Sequence, residues 1–270
     1  IFEKAIHENA PEIKLIGSAG PDVTSDRYTK AWAFYHAHEE QADFVYAVDE
    51  HYYVKPKWLY EHVDFYDDYD RKVKVFSGEY AAHPRNGFNM PQANTLDGAL
   101  AEAAFLTGVE RNADVVVLAS YAPLFARMGY TQWSPDMIWF DGAACYGTPS
   151  YYVQKMYACN MGDAVLDTRG GEKTADADGL YHTASLWGGS GDIILKVVNA
   201  GETERNLTLT LPEGWRESPR IQAEILTGPE RDAYNTLESP ERIVPYRKTF
   251  RPGEGIVLPP LSFAVLRIGK

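Results

Sequence analysis

Glu79 closes the apolar run Lys72-Val73-Lys74-Val75-Phe76-Ser77-Gly78, and the motif Asp49-Glu50-His51-Tyr52-Tyr53 precedes it by one strand and one helical stretch. In a β/α barrel the C-terminal ends of the strands face the active site, so a carboxylate at that point is placed for chemistry and Glu79 is the candidate nucleophile. A His or Tyr donor beside a carboxylate favours its ionised form, which a nucleophile requires, and His51 and Tyr53 are the candidates for that role. Each residue also has an ordinary reading. Most Glu side chains are simply solvated, tyrosines at a barrel rim pack, and a lone His is usually a satisfied structural side chain. The two motifs on successive strands together favour the chemical reading.

The elements that must position them alternate. Short apolar strands are expected at 13–18, 44–48, 73–76 and 115–119, with helical stretches at 29–40, 58–69 and 94–108 between them. The clearest helix is 94–108, with Asn94 as N-cap, Asp97 in the first turn and Leu96, Leu100 and Ala104 on one face. Near-continuous apolar strands alternating with helices imply a parallel sheet covered by helices, and four such units amount to half of an eightfold barrel. After Gly162 the pattern changes. Residues 163–179 are rich in Gly, Asp and Thr, and short alternating runs follow at 181–187, 193–199, 207–211, 221–226, 255–258 and 262–268. That spacing suggests a β-sandwich.

Taken with Ala119-Ser120-Tyr121-Ala122-Pro123, Trp133-Ser134-Pro135-Asp136-Met137-Ile138-Trp139 and Tyr146-Gly147-Thr148-Pro149-Ser150, the Glu79 and His51 motifs resemble, in order, those of the α-L-arabinofuranosidases of glycoside hydrolase family 51. The resemblance implies an α/β plus all-β chain: the C-terminal half of a (β/α)8 TIM barrel over 1–162 (units five to eight), then a jelly-roll-like β-sandwich over 163–270. It implies a retaining enzyme acting on arabinose-containing polysaccharide, with Glu79 forming a covalent arabinosyl intermediate and His51 and Tyr53 holding nucleophile and sugar. Ser120 stands where other members carry a Gln that touches the sugar, and Trp133 is placed to wall the aglycone side or to anchor its loop. Retaining hydrolysis needs a second carboxyl about 5 Å from the first. In the family that group is a Glu directly after an Asn, and no Asn-Glu dipeptide occurs in this sequence. The acid/base is therefore expected upstream of Ile1, with little activity expected from these residues alone. Dimerisation, or association with the missing half, is expected to cover the open side of the half-barrel.

Composition sets outer limits. The 270 residues carry a formal charge of -12, which disfavours nucleic acid or an anionic membrane as partner and suits a neutral sugar. No apolar run is long enough to span a bilayer, and a secreted or periplasmic protein is expected. Cys145 and Cys159 are read as free, core-type thiols. No metal signature is present: Asp67-Asp68-Tyr69-Asp70 lacks the features of a calcium loop, Asp176-Ala177-Asp178-Gly179 is too short, and the hydrolysis needs no cofactor. Two other readings stay open, a related retaining glycosidase with another sugar specificity, and an inactive fragment or carbohydrate-binding module.

Overall fold

The computed structural model describes residues 2–38, 45–83, 94–168, 179–213, 215, 221–251 and 254–269. Helix α1 (Phe2–Asn9) leads into three strand–helix units: β1 (Ile16–Ser18) with α2 (Asp26–His36), β2 (Ala47–Val54) with α3 (Pro56–Glu61), and β3 (Lys74–Ala82) with α4 (Leu96–Arg111). Strand β4 (Val116–Tyr121) follows, and the four strands lie parallel in the order β1-β2-β3-β4. Ser25 caps α2 by accepting from Tyr28 N, and Thr95 caps α4 by accepting from Gly98 N. Helix α4 is apolar on every face, and 13 of its residues are buried. Such a helix needs cover all round, and it has the parallel sheet on one flank and an antiparallel sheet on the other.

Between β4 and the last helix, β5 (Phe125–Arg127), β6 (Ile138–Phe140) and β7 (Cys145–Gly147) build a small sheet over Ala126, Trp139 and Tyr146, which the sequence reading does not anticipate. Helix α5 (Pro149–Ala158) begins with Thr148 as cap and Pro at its first turn. The antiparallel part comprises β8 (Ala164–Leu166), β9 (Leu180–Trp187), β10 (Asp192–Asn199), β11 (Arg205–Leu207), β12 (Ile221–Thr227), β13 (Tyr246–Phe250), β14 (Ile256–Leu258) and β15 (Ser262–Ile268). Six of these strands run in the order β13-β12-β15-β10-β9-β8, while β11 pairs with β14.

Strand alternation divides this sheet between two cores. Ile193, Leu195 and Val197 with Ala264, Leu266 and Ile268 face Ile256 and Leu258 of the small β11–β14 pair. Ile194, Val198, Phe263 and Val265 join the core around α4 and the parallel sheet. Lys196 also points that way. It is 1% exposed and bonds Glu110 of α4 through Nζ at 2.6 and 2.7 Å. Tyr157 of α5 stacks on Phe263 with ring centroids 5.1 Å apart, and Tyr60 stacks on Tyr181 at 5.6 Å.

Several expectations are corrected. Both cysteines are free but exposed, not core thiols. The stretch 58–69 is helical only through Glu61 and continues as turns, because its aromatic rings leave the helix axis to pack beneath β2. Asn94 is not the cap of α4: its amide donates to Tyr121 Oη at 2.8 Å and its carbonyl accepts from Asp136 N at 3.0 Å, leaving the cap to Thr95. The run 207–211 is strand only to Leu207. Phe44, residues 39 and 40, most of 163–179 and Asp176-Ala177-Asp178 lie wholly or partly outside the described residues.

Candidate active site

Alternation along β2 puts Asp49, His51 and Tyr53 on one face and Val48, Glu50, Tyr52 and Val54 on the other, which α3, α4 and the 62–69 segment bury. On β3 a regular two-residue period would put Glu79 on that buried face together with Val75 and Ser77. It does not, because one residue is inserted. The register runs Asp49↔Phe76, Glu50↔Ser77 and then His51↔Glu79, so Gly78 is a bulge and Glu79 returns to the open face opposite His51. Strand β3 therefore continues past Glu79 to Ala82; the carboxylate sits in the strand at its bulge, not just beyond its end.

A larger residue fits this bulge only if the Asp49 side chain moves. A Cβ on Gly78 would run into Asp49 Oδ1, which occupies the space where a side chain would lie. The bulge also breaks the ladder to β4, since Ser77 pairs with Ala119 and Tyr80 with Tyr121, two residues opposing Ser120 alone. Ser120 Oγ donates to the Gly78 carbonyl at 2.6 Å and so satisfies a backbone group freed by the irregularity. Its hydroxyl braces the residue next to Glu79.

Two side chains converge on one oxygen of Glu79. Tyr53 Oη donates to Oε2 at 2.6 Å, and His51 Nδ1 lies 3.4 Å from the same atom. Burial and then the Glu79 carboxylate push the Tyr53 phenol well up, so it stays a donor at any physiological pH. The other edge of the imidazole, Nε2, is 3.0 Å from Asp49 Oδ2. The Glu79 side chain is 43% exposed against 16% for His51, so the carboxylate is open to a ligand while the ring beside it is shielded.

Trp133 closes one side of this group. Its ring centroid is 5.5 Å from that of Tyr53 and 5.8 Å from that of His83, whose imidazole is held below its ordinary range, first by burial and then by Lys55. Asp136, three residues further on, is buried, and burial pushes its carboxyl up to about 7. All five residues singled out from the sequence thus lie on or beside adjoining strands: Glu79, His51, Tyr53 and Trp133 are linked through side-chain contacts, and Ser120 reaches the site through the backbone of Gly78.

Sequence reasoning missed three supports, two of them buried. Asp49 sits inside the quoted motif without a role. Glu50 is fully buried and accepts from Trp32 Nε1 at 2.7 Å, Tyr66 Oη at 2.9 Å, Tyr69 Oη at 3.0 Å and Tyr52 Oη. Burial pushes it up to about 7 against the pull of those donors. Its signal was legible in principle, a carboxylate at a buried strand position followed by the Tyr-rich 60–69 stretch. Glu102, on the largely apolar α4, accepts from Ala82 N at 2.9 Å and anchors the far end of β3; burial pushes it up to about 8.

Residues 78–262 match the family model of the α-L-arabinofuranosidase C-terminal domain. An extracellular exo-α-L-arabinofuranosidase of Streptomyces chartreusis is 43% identical over 169 residues, covering 62% of this chain and 19% of that protein. Alpha-L-arabinofuranosidase 1 of Arabidopsis thaliana is 33% identical over 275 residues, 98% of this chain and 37% of its own length. The chain therefore spans well under half the length of these relatives. The arabinose-bound MgGH51 α-L-arabinofuranosidase superposes with a TM-score of 0.79 at 29% identity, over 99% of this chain and 42% of that one. The Thermotoga maritima enzyme in complex with arabinose reaches the same TM-score at 19% identity, over 100% and 60%, and shares the fold. On these matches the chain belongs to the α-L-arabinofuranosidases of glycoside hydrolase family 51 and carries their C-terminal domain.

Proposed function

We propose that the protein of which these residues form part is a retaining α-L-arabinofuranosidase that removes terminal non-reducing arabinofuranosyl residues from plant polysaccharides, with Glu79 as its nucleophile. The observation that carries the reading is the convergence of Tyr53 Oη and His51 Nδ1 on Glu79 Oε2 on the open face of the parallel sheet. A carboxylate held by the Tyr53 phenol and flanked by the His51 ring can attack the anomeric carbon. The glycosidic bond then breaks, and a second carboxyl delivers its proton to the departing oxygen. In the second half that carboxylate takes a proton from water, whose oxygen attacks the anomeric carbon and releases Glu79 and arabinose. The proton donor belongs, in this proposal, to a part of the enzyme outside these 270 residues. His51 and Tyr53 also contact the sugar, Trp133 borders the leaving-group side, and Ser120 holds the Gly78 backbone while its oxygen remains available as an acceptor. No cofactor enters these steps.

The same reading assigns 1–162 to half of a (β/α)8 barrel and 163–270 to a jelly-roll-like sandwich. Ile16 at 43% and Leu118 at 51% exposure, on the two edge strands, support a partner for the parallel sheet, which we assign to the remaining barrel strands. A secreted location is supported by the extracellular Streptomyces relative. No helix among the described residues is long and apolar enough to cross a membrane. The test is Glu79→Gln in the full-length protein, assayed by release of nitrophenol from nitrophenyl α-L-arabinofuranoside. Loss of turnover is expected, with the mass of a fluoro-arabinosyl adduct appearing on the Glu79 peptide of the parent enzyme alone. A normal rate in the variant refutes the assignment.

A further inference from the structure

We infer that Asp49 is a positioning residue that fixes the His51 imidazole for Glu79; the inference rests on the reading of Glu79 as nucleophile. Three observations meet at this side chain. Its Oδ2 lies 3.0 Å from His51 Nε2, while the opposite edge of the ring, Nδ1, lies 3.4 Å from Glu79 Oε2. Its Oδ1 fills the space left by the missing side chain of Gly78, the bulge residue that brings Glu79 to the open face. Asp49 and His51 share one face of β2, so the strand itself sets their spacing.

An imidazole with a single acceptor can turn about its Cβ–Cγ bond and present either nitrogen. An acceptor fixed at Nε2 removes that freedom and commits Nδ1 to Glu79. The groups facing the ring are Asp49 on its own strand, Glu79 on β3 and the Tyr53 phenol, whose ring stands edge-on at 6.4 Å. With a carboxylate at each edge, a ring protonated on both nitrogens satisfies both, whereas a ring with one proton, given to Asp49, turns a lone pair toward Glu79. When Glu79 becomes an arabinosyl ester its negative charge disappears, and Asp49 is then the one carboxylate left against the ring among these groups. The effect of Asp49 therefore falls on the chemical steps more than on substrate binding.

The experiment uses the full-length protein with nitrophenyl α-L-arabinofuranoside. Asp49→Asn keeps an acceptor near Nε2 and removes the charge; kcat is expected to fall about 10- to 100-fold, in the range seen when a carboxylate behind a working histidine is removed, with KM within about twofold. Asp49→Ala opens the space above Gly78, and added formate is expected to restore several-fold of the lost rate where formamide does not. A parental kcat in Asp49→Asn, or an Asp49→Ala protein that formate leaves unchanged, overturns the inference. Glu79→Gln is run alongside. If it retains the parental rate, the nucleophile assignment has failed; if it is dead while Asp49→Asn behaves as the parent, the Asp49 inference alone has failed.

Discussion

Replacing Glu102 with Gln probes a buried carboxyl whose titration the fold suppresses. The side chain is 1% exposed, and its Oε1 accepts from Ala82 N at 2.9 Å, a bond that Gln retains. Burial raises the carboxyl from 4.5 to about 8 in the folded protein. Because the folded value is the higher one, the folded state holds more protons than the unfolded state between these limits. Stability is therefore full below pH 4.5, declines as pH rises toward 8 and levels off above it. At pH 7 the unfolded chain has lost this proton and the folded chain has kept it, which costs about 3 kcal/mol relative to acid; at pH 5 the cost is under about 1 kcal/mol. Gln carries no such penalty. The stability of Glu102→Gln relative to the parent should therefore improve by about 2 kcal/mol between pH 5 and pH 7, read as a growing gap in urea midpoint at unchanged slope. Glu50 and Asp136 titrate in both proteins and cancel from the difference. A gap that stays constant across that range would show that Glu102 ionises in the folded state as it does in the unfolded chain, and the reasoning would fail.

Tyr53→Phe removes the 2.6 Å donor to Glu79 while keeping the ring against Trp133, so kcat/KM in the full-length enzyme should drop at least about tenfold with the melting temperature nearly unchanged; an unchanged kcat/KM would deny the phenol its role. Lys196→Ala strands the Glu110 carboxylate between α4 and β10 and should cost about 3 kcal/mol, whereas Lys196→Met paired with Glu110→Leu should recover most of it; equal losses in urea titrations of both would contradict this. Gly108→Ala, normally favourable in a helix, should instead destabilise by about 1–3 kcal/mol, because the added Cβ meets the Val63 carbonyl oxygen of a backbone that cannot swing aside; a raised denaturation midpoint would refute it.

The parallel part of the fold was legible because its strands announce themselves as apolar runs, and α4 because its composition leaves no polar face. What the sequence hid follows from contacts that local pattern does not carry. Helix α4 runs on past Gly108 to Arg111: the glycine that reads as a helix stop is there to admit the Val63 carbonyl. Strand β13 went unassigned because Arg247 and Lys248 sit on the outer strand of its sheet, where charge guards an open edge. The candidate pair His51 and Glu79 was singled out from residue types and order, yet the reason they share a face was not legible there. A single inserted residue at Gly78 reverses the strand's parity, and only the register with β2 reveals it. Asp49 went unassigned for the same reason, since its purpose depends on a glycine one strand away.

Glu110, Tyr60 and Asp97 belong to the layer that supports β3, and each is joined to the antiparallel sheet or its loops through Lys196, Tyr181 and Arg231. The carboxyl-terminal portion is thus no interchangeable cassette. A chimera that grafts a foreign partner there would leave α4 with a wet apolar flank and an orphan anion, loosening the support beneath the strand that carries Glu79. Redesign on one side of that seam has to carry the other side with it.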